Sequence, residues 1–85
     1  MDIPFIVNYF KDAYQARSGI PHTPIPQCQI DRFKTIADEF NVDEKDIFSM
    51  IDAYFDTKFR KPIDYRFGHF VADTVFEILY FQNIH

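Results

Sequence analysis

This chain has to accommodate many aromatic rings: its 85 residues include 11 Phe and 5 Tyr, with no Trp and 2 Gly. A chain of this length forms one domain and buries only about 60–65% of its unfolded surface, so its stability depends on apolar area. Each buried Phe contributes roughly 1.5–3 kcal/mol. Because Cys28 is the one cysteine, no disulfide within the chain can help. We therefore expect a single helical domain, residues 1–85, stabilised by an aromatic core.

Apolar residues recur at spacings of three and four in four segments, which predicts four helices. The expected helices span residues 3–18, 27–41, 44–58 and 65–82. Asp2, Asp43 and Asp64 stand at N-cap positions before three of them, and Gly19 suits the end of the first. The last helix is apolar on nearly every side, which favours a buried position. The predicted fold class is all-α: a compact four-helix domain with an aromatic core and the last helix central.

Three prolines between residues 21 and 26 exclude a helix there and favour an extended connector between the first two helices. The connector is short and carries two large apolar residues, Ile20 and Ile25. We expect both to pack against the domain.

Candidate nucleophiles and metal ligands are few. Cys28 lies near a predicted helix start, with His22 six residues away, but no third group is evident that would orient such a pair. His69 and Asp73 stand four residues apart, a spacing that suits a surface pair better than a metal site, which needs more ligands. Two glycines cannot form a phosphate-binding loop. We expect no cofactor and no metal.

Asp52 and Asp56 lie one helical turn apart on the polar stripe of the third predicted helix. Paired carboxylates can perform acid–base chemistry, but on the wet face of an amphipathic helix they are most simply solvated. Nothing else in the sequence indicates catalysis, so we expect a protein that is not an enzyme.

The charges of the chain, −4 in total, are divided unevenly along it. Residues 38–56 carry seven acids and one base, whereas residues 57–70 carry four bases and one acid. Such patches steer partners and fix their register. The preferred function is a non-enzymatic adaptor that binds another protein. The residues expected to bind this partner are Lys58, Phe59, Arg60, Lys61, Tyr65 and Arg66.

Two other functions remain open. In one, the basic and aromatic segment 58–66 binds nucleic acid directly, although the net negative charge makes nucleic acid the less favoured partner. In the other, an acidic face imitates nucleic acid and inhibits a DNA-binding enzyme. The acids that would carry that effect are Asp38, Glu39, Asp43, Glu44, Asp46, Asp52 and Asp56.

Large apolar residues continue from residue 76 to residue 84, more than one small core needs, so a homodimer through the last helix is a further alternative. No apolar run reaches 18 residues, and the first residues lack the features of a signal peptide. We therefore expect a cytoplasmic protein without a membrane partner.

Residues 46–55, DIFSMIDAYF, resemble a helix found in small helical domains of phage and mobile-element replication accessory proteins. Those domains often open with a segment similar to residues 9–21, YFKDAYQARSGIP, and close with a basic loop and an aromatic helix like residues 60–79. The resemblance implies a protein-contact module associated with a phage or plasmid replisome. It transfers no catalytic residue to this chain.

Overall fold

The computed structural model describes residues 1–57 and 64–84, and these residues form five helices. The helices are α1 (Ile3–Ser18), α2 (Gln27–Phe40), α3 (Glu44–Asp56), α4 (Phe67–Phe70) and α5 (Asp73–Asn83). The described residues contain no strand, which confirms the all-α prediction. Helix α5 contacts α2, α3 and α4, so the end of the chain occupies a central place among the helices.

The first and third helices begin where the sequence predicted, because aspartates cap both of them. Asp2 accepts a hydrogen bond from the backbone N–H of Phe5 at 3.1 Å. Asp43 accepts one from the N–H of Asp46 at 2.9 Å, and Asp46 returns a contact of 3.4 Å to complete a capping box. Gly19 ends α1 with a φ of 80°, a left-handed conformation that glycine adopts without strain.

The predicted fourth helix is wrong in two respects, and the first is that it is broken at Val71 and Ala72 into α4 and α5. Its N-cap is Arg66 rather than Asp64, and no side chain of the cap residue hydrogen-bonds the first turn. A long-range contact accompanies the break. The Nε of Arg32, on α2, donates to the carbonyl oxygen of Val71 at 3.1 Å, and its guanidinium lies 2.9 Å from the carboxylate of Asp73.

One cluster of buried apolar residues joins all five helices. Phe10, which is fully buried, lies among rings from α3 and α4 at centroid distances of 4.9 to 5.9 Å. Those rings belong to Tyr54, Phe55, Phe67 and Phe70. Aromatic pairs add about 0.5–1.5 kcal/mol beyond the area they bury, so this arrangement explains how a chain without a disulfide is stabilised.

The connector between α1 and α2 packs only in part as predicted. Ile25 lies against the core, but Ile20 is 44% exposed, so its predicted packing is wrong. His22 supplies the contact instead: its ring lies 4.7 Å from that of Tyr14 and 5.8 Å from that of Phe10.

Helices α1 and α3 are parallel neighbours, because contacts between them run in the same order along both. The backbone N–H of Asp2 donates to Glu44 at the two N-termini. Farther along, the Tyr9 hydroxyl donates to Asp52 at 2.7 Å. At the C-terminal ends Arg17 lies 3.4 Å from Asp56. This pairing leaves the other side of α3 for α5 and for the site described next.

Candidate functional site

A cleft of about 260 Å³ lies between the C-terminal half of α3 and helix α5. The described residues that line it are Tyr54, Thr57, Tyr65, His69, Val75, Ile78, Leu79 and Gln82. None of these is a carboxylate, a lysine or an arginine, so the described walls carry hydroxyl, imidazole and amide groups among apolar ones. Such a mixture, mostly apolar with a few convergent polar groups, is typical of a binding site.

Hydrogen bonds hold one end of the cleft in place. The buried Tyr65 donates through its hydroxyl to the carbonyl oxygen of Thr57 at 2.7 Å. The hydroxyl of Thr57 donates to the carbonyl oxygen of Tyr54 at 2.8 Å and lies 3.1 Å from the Tyr65 hydroxyl. These bonds fix the end of α3 to the segment that precedes α4, so this wall is formed before any ligand arrives.

Tyr54 and His69 form the second polar contact of the cleft. The Tyr54 hydroxyl lies 2.8 Å from Nδ1 of His69 and 3.3 Å from the carbonyl oxygen of Arg66. When Tyr54 donates to the carbonyl, Nδ1 of His69 carries the proton and donates to the hydroxyl. The contact joins α3 to α4 and orients the imidazole at the cleft.

The apolar wall comes from α5. Val75, Ile78 and Leu79 line the cleft, and Leu79 also belongs to the core. Ile78 is 49% exposed, and Phe81, one turn farther along the same face of the helix, is 51% exposed. Two large apolar side chains at a spacing of three residues therefore stand at the surface beside a cleft whose described walls are uncharged.

The structure separates the predicted partner-binding residues. Tyr65 is 4% exposed, so it contributes to the cleft as a wall. Arg66 is exposed at the start of α4. Lys58, Phe59, Arg60 and Lys61 lie outside the described residues. The proposed contact between this basic segment and a partner stays a prediction.

The pairing of His22 with Cys28 has no geometric support. Nδ1 of His22 donates to the carbonyl oxygen of Thr23 at 2.6 Å, and Nε2 accepts from the backbone N–H of Phe67 at 3.1 Å. Both ring nitrogens are thus engaged in structural hydrogen bonds, and neither is left to act as a base toward the exposed thiol of Cys28.

The spacing of four residues does not place His69 and Asp73 on one face of a single helix, because the break at Val71 and Ala72 puts them on different helices. Asp73 forms an ion pair with Arg32. His69 instead faces Tyr54.

Two of the carboxylates of α3, Asp52 and Asp56, hold α1. Asp52 accepts a hydrogen bond from Tyr9, and Asp56 forms an ion pair with Arg17. Within residues 1–57 and 64–84, no group of three His, Cys, Asp or Glu side chains is placed to hold a metal ion.

Comparisons of the chain with protein-family models, with curated proteins and with solved structures find no match. Within the described part of the chain, every helix is too short or too polar to cross a bilayer.

The sequence did not predict the cleft, although one feature of the sequence corresponds to part of it. The excess of apolar residues from 76 to 84 corresponds in part to the exposed Ile78 and Phe81. Nothing in the sequence indicated that Tyr54, Thr57 and His69 would join them, because that requires the end of α3 to pack against α4 and α5.

Proposed function

We propose that this chain is a non-enzymatic adaptor that binds another protein, and that its α3–α5 cleft takes one large apolar side chain of that partner. The observation that carries the proposal is Ile78, half-exposed at the edge of a cleft whose described walls are uncharged. Interfaces draw most of their energy from a few apolar or aromatic anchors that enter such depressions. Phe81, exposed one turn away, extends the contact surface.

The size of the cleft favours an anchor side chain over a small-molecule ligand. Pockets that hold a whole small molecule measure roughly 300–1,000 Å³, whereas this cleft measures about 260 Å³. The hydroxyl groups of Tyr65 and Thr57 are bonded to one another and to backbone carbonyls. They therefore shape the wall and have little capacity left for a polar ligand.

Positive charge adjacent in sequence to residues of the cleft wall favours acidic residues beside the apolar anchor of the partner. Arg66 is exposed between Tyr65 and Phe67 in the chain. Lys58, Arg60 and Lys61 belong to the segment that joins two residues of the cleft wall, Thr57 and Tyr65. Complementary charges at the rim of an interface accelerate association and select partners. Reversal of the charges of Arg60 and Lys61 should therefore weaken partner binding without lowering the melting temperature.

The resemblance of residues 46–55 to replication accessory domains supports a partner in a phage or plasmid replisome. That resemblance alone supports this part of the proposal, and the cleft supports only the binding of an apolar anchor. The identity of the partner and the binding of an apolar anchor can be tested separately.

Selection of peptides from a phage-displayed random library against the purified protein tests the cleft. We expect the selected peptides to share one large apolar residue flanked by Asp or Glu. Ile78→Glu should weaken their binding at least tenfold, because it places a charge at the mouth of an apolar cleft. Phe5→Glu is a matched control: it adds the same charge at a similarly exposed apolar residue on α1. Equal binding by wild type and Ile78→Glu would refute the proposal.

A further inference from the structure

The exposed side of α1 and α3 carries aromatic rings bordered by carboxylates. We propose that this surface binds a basic, amphipathic segment of a partner protein. We call it the acidic aromatic face, and it consists of Asp2, Phe5, Tyr9, Glu44, Phe48 and Asp52. It is distinct from the α3–α5 cleft, and the proposal does not depend on the function proposed for that cleft.

Three rings form the centre of the face. Phe5 is 56% exposed and meets Phe48 edge-on, with ring centroids 5.8 Å apart. Tyr9 lies 4.7 Å from the same Phe48 ring. The core at this level is built from Ile6, Phe10 and Ile51, which are fully buried. Phe5 is thus additional to the core, and with the partly buried Tyr9 and Phe48 it presents a row of rings across two parallel helices.

Carboxylates lie at both ends of this row. At the N-terminal end, Asp2 caps α1 through the N–H of Phe5, and Glu44 accepts from the N–H of Asp2. At the other end, Asp52 accepts from the hydroxyl of Tyr9 at 2.7 Å. These bonds hold the carboxylates beside the rings.

Three further charged residues lie near the face: Asp12, Lys45 and Arg17, whose positive charge acts on the Tyr9 hydroxyl. Asp12 follows Tyr9 by one turn of α1, and Lys45 precedes Phe48 by one turn of α3; both are exposed. The four carboxylates at the face outnumber Lys45 and Arg17, so the face stays negative. Charge complementarity therefore requires a positive occupant.

The rings determine what kind of positive occupant fits. Lys and Arg side chains place their alkyl stems on apolar surface and their cationic heads near carboxylates or over aromatic rings. An amphipathic helix that alternates such residues with Leu or Ile along one side can lay its apolar side on this row of rings. Nucleic acid and anionic membranes carry the wrong charge for this surface. A surface that merely imitated nucleic acid would have no use for Phe5.

The acidic aromatic face and the cleft lie on different sides of α3. Tyr54 follows Phe48 by six residues and Thr57 follows it by nine, which at 3.6 residues per turn places both roughly 120–180° around the helix from Phe48. One molecule can therefore hold a partner at each surface at the same time, which is what an adaptor requires.

The probe for this proposal is a synthetic helical peptide of Leu and Lys with leucines along one face. Two control peptides keep one property each. The first replaces every Leu by Ser and keeps the positive charge, and the second replaces every Lys by Glu and keeps the apolar face. We expect the Leu/Lys peptide to bind, with affinity that falls as salt rises, and to shift the amide resonances of Phe5, Phe48 and Asp52. Neither control should bind comparably.

Variants separate the two surfaces. Phe5→Ser should weaken Leu/Lys binding at least tenfold, and Asp52→Asn, which keeps an acceptor for Tyr9, should weaken it about threefold and reduce the salt dependence. Ile78→Ser, matched in exposure to Phe5, should leave the affinity unchanged. Thermal unfolding confirms that each variant is folded.

Three results would overturn the proposal. Binding by the Ser/Lys peptide as tight as by the Leu/Lys peptide would mean that charge alone acts. Unchanged binding by Phe5→Ser, or shifts confined to the α3–α5 cleft, would exclude this face. Self-association of the protein that is abolished by Phe5→Ser would assign the face to a second copy of the chain.

Discussion

Nε2 of His22 accepts a hydrogen bond from the backbone N–H of Phe67 at 3.1 Å, across 45 residues of sequence. Helix α4 has no side-chain cap from its own N-cap residue, Arg66. A histidine from the connector thus satisfies the first N–H of α4, one of the N-terminal donors that have no partner within the helix. The bond requires the tautomer with its proton on Nδ1, which donates to Thr23.

Replacement of His22 by Phe tests this relationship. The ring would keep its place beside Phe10 and Tyr14, but the N–H of Phe67 would lose its acceptor. An unsatisfied backbone donor costs about 1–3 kcal/mol, so the free energy of unfolding in urea should fall by that amount. Cys28→Ser, at an exposed position, should change it by less than about 0.5 kcal/mol. Equal stability of His22→Phe and wild type would show that water replaces the histidine.

Arg32 bridges the break between α4 and α5, and its two contacts should differ in importance. Its ion pair with Asp73 lies at the surface, where such pairs contribute about 0–1 kcal/mol. Its hydrogen bond to the carbonyl of Val71 satisfies a group that the helix break leaves open. We expect Arg32→Met to lower the free energy of unfolding by about 0.5–1.5 kcal/mol. Asp73→Asn should lower the free energy of unfolding by less than Arg32→Met does. An equal loss in the two variants would assign the effect to the ion pair.

The pKa of Tyr9 is raised above its ordinary value of 10.0, chiefly because its hydroxyl donates to Asp52, with burial and the negative charge of Asp52 adding to the effect. Arg17 opposes the shift. Because the folded protein holds this proton more tightly than the unfolded chain, the resulting stability is present below pH 10.0 and is lost as pH rises through the folded pKa.

Ultraviolet titration of the phenolate, with Tyr9→Phe as the subtraction control, measures this pKa. Asp52→Ala should bring the pKa of Tyr9 back toward 10.0, and the difference in unfolding free energy between Asp52→Ala and wild type should shrink in strongly alkaline solution. An unchanged titration in Asp52→Ala would contradict the assigned cause.

The parts of the fold that depend on local signals were predictable. Helices α1 and α3 begin after capping aspartates, Asp2 and Asp43, whose side chains bond within the first turn. The last helix was predicted as one piece because its residues are apolar throughout. Its break is accompanied by a contact from Arg32, 39 residues earlier in the chain, which forms only after the helices have packed.

The candidate site was less predictable for the same reason. Tyr65 was identified as a binding residue from its basic neighbours, but its hydroxyl bonds to Thr57 and the ring becomes a wall of the cleft. Ile78 lies in a run of apolar residues, and nothing in the sequence distinguishes it from its neighbours. Only the packing of α5 shows that it is half-exposed.

The position of the bound anchor decides whether the α3–α5 cleft is the site where a partner docks. With a selected peptide in complex with the protein, intermolecular nuclear Overhauser effects report which protons of the two molecules lie close together. We predict such effects between the apolar anchor of the peptide and the methyl groups of Ile78 and the ring of Tyr65. Effects from the anchor to Phe5 or Phe48, with none to Ile78, would contradict the proposed function.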